Sequence, residues 1–285
     1  MKKIMIIIVA IMAISTVAFS QITNVYITKD SSVVIDKVYV GVLSGTMFST
    51  DSLHASGFTG VRFGAMASYK PAKWIAFKTW AMYQAETGSA SWSLQQFWMK
   101  LTPTQKLSIE VGSMGTLVTE QRPHPVSGNG QFETWSEASI PGMALNAKVK
   151  YDFTSNFQLA GGVALRNNLP EYSGRITYKK VQVSAWYSEW NKKFGTALTL
   201  DLPRVYNTFV WKQDQTIANV LVVHIVPSKG ISLYSDNGYN FSTKKLVRSE
   251  TGAMKTFESK WIKGLFGLGY NYENKSVNGY LFIHI

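Results

Sequence analysis

A period of two governs most of this chain. Over residues 143–153, Met143, Leu145, Ala147, Val149, Tyr151 and Phe153 alternate with Asn146, Lys148, Lys150 and Asp152. After Thr154-Ser155-Asn156 the pattern resumes with Phe157, Leu159, Gly161, Val163 and Leu165. Successive side chains of a strand point to opposite faces, so each segment has one apolar face and one polar or small face. Residues 61–69 and 75–83 repeat the pattern around Lys70-Pro71-Ala72-Lys73. Later segments meet at Lys179-Lys180, Pro203-Arg204, Pro227-Ser228-Lys229-Gly230 and Asn274-Lys275-Ser276. Short strands joined by tight turns imply an antiparallel sheet, either a sandwich or a barrel. No helical stretch interrupts them, which argues against βαβ units.

The first twenty residues read differently. Lys2 and Lys3 precede an apolar run over residues 4–17 that is short for a membrane helix, and Ala18-Phe19-Ser20 offers small residues at positions −3 and −1 of a cleavage site. This is the pattern of a cleaved secretory signal peptide over residues 1–20, which leaves residues 21–285 as one mature domain. No Cys follows, so neither a lipid anchor nor a disulfide framework is expected. Beyond the leader there is no apolar run of about eighteen residues. A mature chain that spans a membrane must therefore do so as a barrel, because an open sheet leaves unpaired backbone in lipid.

Composition points the same way. Charged residues are 16% of the chain, against about 25% in soluble domains. Aromatics reach 13%, as two interfacial girdles would require. The net charge of +12 includes the leader's two lysines. The remaining excess suits anionic solutes or lipid head groups. The basic residues are spread singly along strands, so a nucleic-acid partner is not expected.

Many apolar faces end in an aromatic beside a turn: Tyr69, Trp74, Tyr151, Phe153, Phe157 and Tyr178. Longer connections are expected near residues 49–57, 120–141 and 240–260. In these respects the whole mature chain resembles outer-membrane β-barrels of the porin-like type. The resemblance implies an all-β, transmembrane, antiparallel up-and-down barrel in a bacterial outer membrane. Its partners would be outer-membrane lipids, the barrel-assembly machinery and small solutes, with the barrel alone or oligomeric. About fifteen segments can be marked, and single-chain barrels take an even number. Fourteen strands are expected, with twelve and sixteen as neighbours. The last amphipathic segment ends in Ile285, where such barrels often carry a terminal aromatic.

With the polar face as lumen, Arg62, Lys78, Lys148, Lys150, Arg166, Arg175 and Lys212 point inward, against Glu110, Asp152 and Asp201. A wall of one charge sign concentrates the opposite ion. The expected function is passive diffusion of small solutes with a preference for anions. The same cations could instead fill a plugged barrel whose outer loops bind a partner. Residues 120–141 form the third outer connection by order. In general porins the third loop folds into the lumen, and by that resemblance Glu120, Glu133 and Glu137 would face the basic wall. An ordinary surface loop stiffened by Pro123, Pro125 and Pro141 is the alternative. His54-Ala55-Ser56 offers a base and a nucleophile two residues apart, as in rim lipid hydrolases. Trp80, Trp92, Trp98, Trp186 and Trp190 are candidate inward aromatics. His54, His124, His224 and His284 lie far apart, so neither a metal site nor a cofactor is expected.

Overall fold

A computed structural model describes residues 22–26, 32–49, 55–86, 89–117, 145–166, 168–189, 191–213, 216–259, 263–273 and 275–284. The proposed leader, and Glu120, Glu133 and Glu137, lie outside them. Among the described residues seventeen strands follow one another: β1 (Ile22–Tyr26), β2 (Val33–Ser49), β3 (Ala55–Ala72), β4 (Ile75–Glu86), β5 (Ser89–Leu101), β6 (Leu107–Ser113), β7 (Leu145–Thr154), β8 (Phe157–Arg166), β9 (Leu169–Tyr178), β10 (Val181–Ser188), β11 (Lys193–Asp201), β12 (Val205–Lys212), β13 (Thr216–Val226), β14 (Ile231–Asn240), β15 (Lys245–Glu258), β16 (Lys263–Asn271) and β17 (Ser276–His284).

Each strand from β2 to β16 pairs antiparallel with the next in sequence, the order of an up-and-down barrel. β17 pairs with β16 on one side and with β2 on the other, through His284↔Leu43 to Asn278↔Ser49. Every strand from β2 to β17 thus has a partner on both sides. β1 lies on the same edge of β2 as β17, from Ile22↔Val38 to Tyr26↔Val34, and takes up that edge where β17 leaves it. Seventeen segments therefore fill sixteen positions.

Sixteen lies at the upper end of the expected twelve to sixteen, two above the preferred fourteen. β1 is only five residues long, too short to show a period. β15 falls where a long connection was expected over residues 240–260. Over its middle the exposed positions carry Thr251, Ala253 and Lys255, so no apolar alternation marks that stretch. The connection before it is the short stretch 241–244. The first expected long connection also shrinks, because β2 and β3 together leave only residues 50–54 between them.

The connections sort by end. Turns at residues 73–74, 102–106, 155–156, 179–180, 202–204 and 227–230 close one end, here the short-turn end. The opposite end carries the long connection between β6 and β7. At the tight turn after β9, Lys179 takes a positive φ of 52°, a conformation more often given to Gly or Asn.

The faces decide the environment. On β7, Leu145, Val149, Tyr151 and Phe153 are exposed, while Asn146 and Lys148 are buried. The same inversion runs around the ring. Leu159, Ile176, Val183, Leu198, Phe209, Leu233 and Phe266 point out, and Glu171, Arg175, Ser184, Thr199, Thr208 and Asp236 point in. A soluble sandwich would bury the apolar face instead. Near the short-turn end the exposed face carries Tyr69, Trp74, Tyr151, Phe153 and Tyr178; near the other end it carries Tyr172, Phe194, Phe241, Tyr270 and Tyr272. Neighbouring rings touch within each band, with Tyr151 and Phe153 at 4.8 Å and Tyr270 and Tyr272 at 5.1 Å between centroids. Two aromatic bands around an apolar belt mark the interfaces of a bilayer.

Candidate functional site in the lumen

Cross-strand register brings the inward residues together. Ser68↔Lys78, Lys78↔Trp98, Trp98↔Gly112 and Gly112↔Asn146 are successive partners across five strands, so all share the lumenal face. Gly112 has a φ of 143°, and a Cβ there would meet the Phe97 carbonyl oxygen at 2.3 Å. Only a glycine lets β6 lie this close to β5. One register step on, Lys100↔Glu110 and Glu110↔Lys148 line up.

Glu110 is the hub of this wall. Its carboxylate lies 3.2 Å from Lys148 Nζ, 3.6 Å from Lys100 Nζ and 3.7 Å from Lys150 Nζ. Three ammonium groups around one carboxylate leave a local excess of positive charge. Beside them the chain that leaves β6 turns into the barrel. Lys148 Nζ donates to the Gly115 carbonyl at 3.0 Å, and Arg175 Nη1 donates to the Leu117 carbonyl at 3.3 Å. Asn146 Nδ2 donates to the Met114 carbonyl. Met114, Thr116 and Leu117 are buried, Leu117 completely. Strands β7 and β9 thus supply three donors to one stretch of backbone that has no ladder partner. The segment 114–117 is the root of the long connection, and it runs inward along the wall.

The expected pore cations therefore differ in role. Lys148 and Arg175 are buried and committed to the 114–117 backbone. Lys150 is half-buried beside Glu110. Lys78 is half-buried, with its ammonium 6.0 Å from the Trp98 ring centroid. Lys212 is buried at the end of β12. Arg62 and Arg166 lie on β3 and β8, and their side chains fall outside the described ones. Of the expected acids, Asp152 faces inward and accepts from Gln158 Nε2 at 2.7 Å. Asp201 is instead exposed at the short-turn rim, because β11 ends there.

Several lumenal groups escape the sequence reading. Lys100 shares the parity of Trp98, and Glu171 that of Arg175, so alternation alone marks both. Glu171 accepts from Ser188 Oγ at 2.9 Å. On the far wall Asp236 and Glu250 are direct cross-strand partners, both buried. Glu250 accepts from Tyr234 Oη and, at 3.1 Å, from Asn278 Nδ2. Strand β15 carries Glu250, so missing the strand also hid the acid. Trp186 is buried on the inner face and Trp80 and Trp98 are half-buried, while the side chains of Trp92 and Trp190 are not among the described ones. His54 lies outside the described residues, as does the side chain of Ser56. Among the described residues no three His, Cys, Asp or Glu side chains group as metal ligands.

This geometry has counterparts among solved structures. A mutant of the Rh. blastica porin matches with a TM-score of 0.60 over 87% of this chain and 99% of its own, at 9% identity. Pseudomonas putida OprB, solved at low pH, matches with a TM-score of 0.62 over 87% of this chain and 91% of its own, at 11% identity. The fold is porin-like. At such low identity the likeness speaks for the fold alone. No family model and no curated protein matches the sequence.

Proposed function

We propose that the chain is an outer-membrane channel for passive diffusion of small solutes, with a preference for anions. The observation that carries this reading is the inverted distribution of side chains. An apolar, aromatic-edged exterior surrounds an interior of charged and hydroxyl groups, which fits a water-bearing lumen inside lipid. The anion preference rests on the wall of β5 to β9. There Lys100, Lys148, Lys150 and Arg175 outnumber Glu110, Asp152 and Glu171. The positive excess raises the local concentration of anions. Segment 114–117 narrows the passage on the same wall, so the solute would pass close to these charges.

In this reading residues 1–20 direct export, and Arg62 and Arg166 join the basic lining. The alternative of a closed barrel recognised by its outer loops has less to use. Among the described residues, the connection 241–244 at that end is a tight hairpin. The rim-hydrolase alternative gains nothing from the porin-like neighbours.

The test is current through planar bilayers containing the purified protein, with a salt gradient across them. Stepwise conductance with a reversal potential favouring chloride is expected. Folded protein that carries no current would defeat the channel reading. A reversal potential favouring potassium would defeat the anion preference alone.

A further inference from the structure

We propose that the short-turn rim is a binding surface for anionic phospholipid head groups in the leaflet it faces. Five of the six described turns at that end carry an exposed cation: Lys73, Lys106, Lys179 with Lys180, Arg204 and Lys229. None of these six side chains forms an ion pair among the described residues. At the opposite end Lys192 is paired with Glu189.

The second observation is where these cations sit. They lie one layer beyond the exposed aromatics of the short-turn band. Lys73 directly precedes the exposed Trp74. Lys106 Nζ donates to the Phe153 carbonyl at 3.5 Å. Lys179 Nζ stands 5.5 Å from the Tyr178 ring centroid. Aromatic rings settle at the head-group level of a bilayer. Cations just outward of the rings stand at the depth of the lipid phosphates, and each gains attraction there when the lipid is anionic. Soluble anions would use the ammonium groups alone. A lipid can use the ammonium groups and the apolar belt beneath them together. The two layers in register therefore favour lipid over free phosphate.

The inference rests on the barrel spanning a bilayer and not on its conducting, so bilayer currents and lipid binding can fail separately. The full chain, folded in a neutral maltoside detergent, is mixed with phosphatidylglycerol or phosphatidylcholine. Retained lipid is counted by native mass spectrometry. Phosphatidylglycerol should be retained at least about tenfold better, with the advantage falling as salt screens the rim. The variant Lys73→Gln/Lys179→Gln/Lys180→Gln/Arg204→Gln should lose that advantage and retain the two lipids about equally. Lys244→Gln/Lys275→Gln, at the other end, should keep it. Heat-modifiable gel migration scores folding. If the fourfold variant does not fold, the head-group and salt contrasts of the unaltered protein decide. Equal retention of the two lipids overturns the proposal, as does a folded fourfold variant that keeps the preference. Displacement of bound phosphatidylglycerol by glycerol 3-phosphate as effectively as by the lipid itself would assign the rim to free phosphate and overturn it too.

Discussion

Lys148 and Lys150 are two residues apart on one face of β7 and both approach Glu110, yet they differ in depth. Lys148 lies 3.2 Å from the Glu110 carboxylate and 3.0 Å from the Gly115 carbonyl, whereas Lys150 is 3.7 Å from Glu110 and half-buried. Lys148→Met removes a donor from a half-buried carbonyl and a cation from a buried carboxylate. It should cost about 1–3 kcal/mol, read as a lower temperature for the gel-migration transition. With the root of the long connection less firmly held, single-channel conductance should rise. Lys150→Gln keeps most of the packing and should change stability by no more than about 0.5 kcal/mol, while moving the reversal potential toward equal permeability. Identical effects of the two substitutions on both readouts would mean that holding the connection and lining the path are one role. Parity in the sequence puts both lysines on the lumenal face. It is silent on which of them meets a backbone carbonyl, because the direction taken by segment 114–117 after β6 has no period to read.

At the level of elements, legibility follows lipid exposure. Strands β7 to β12 are visible because lipid demands an apolar residue at every second position. Strand β15 is not, since Thr251, Ala253 and Lys255 occupy the outward positions of its middle. What holds β15 is packing from inside. The Tyr234 ring lies over Gly269, where a Cβ would meet Tyr234 Oη at 2.2 Å and Glu250 Oε1 at 2.7 Å. Gly269→Ala should therefore destabilise the barrel by about 1–3 kcal/mol through overpacking. Unchanged thermal migration would show that the ring can yield without cost. The hairpin between β14 and β15 gives a change of opposite sign. Lys244 holds a φ of 54°, a conformation that costs a residue with a side chain about 1–2 kcal/mol. Relief of that strain is partly offset by the extra freedom glycine brings to the unfolded chain. Lys244→Gly should thus stabilise by about 0.5–1 kcal/mol. A lower transition temperature would mean that the lysine side chain contributes more than its backbone costs.

For the whole molecule, the sequence restricts the fold by two independent routes that meet only in a barrel. With no apolar run of about eighteen residues after residue 20, a membrane span must be a sheet, and a sheet in lipid must leave no unpaired edge. The pairing of β17 with β2 satisfies that demand, and β1 covers the stretch of β2 beyond it. The strand number was harder to read, because a barrel two strands larger or smaller obeys the same alternation. The spanning geometry itself is open to a direct energetic test. Leu198 is exposed midway along β11, between the inward Ala197 and Thr199. If its surroundings are hydrocarbon, Leu198→Arg should cost about 2–4 kcal/mol when folding is measured into lipid vesicles. On a water-facing surface the same substitution would change stability by about 0.5 kcal/mol or less. Leu198→Ala separates lost contact from buried charge, since alanine gives up side-chain area without bringing a charge into lipid. An arginine penalty no greater than that of alanine would place Leu198 in water and remove the basis for the inverted barrel. A penalty several times that of alanine would place the β11 exterior in the membrane core, the setting in which an inward wall of lysines can act on passing ions.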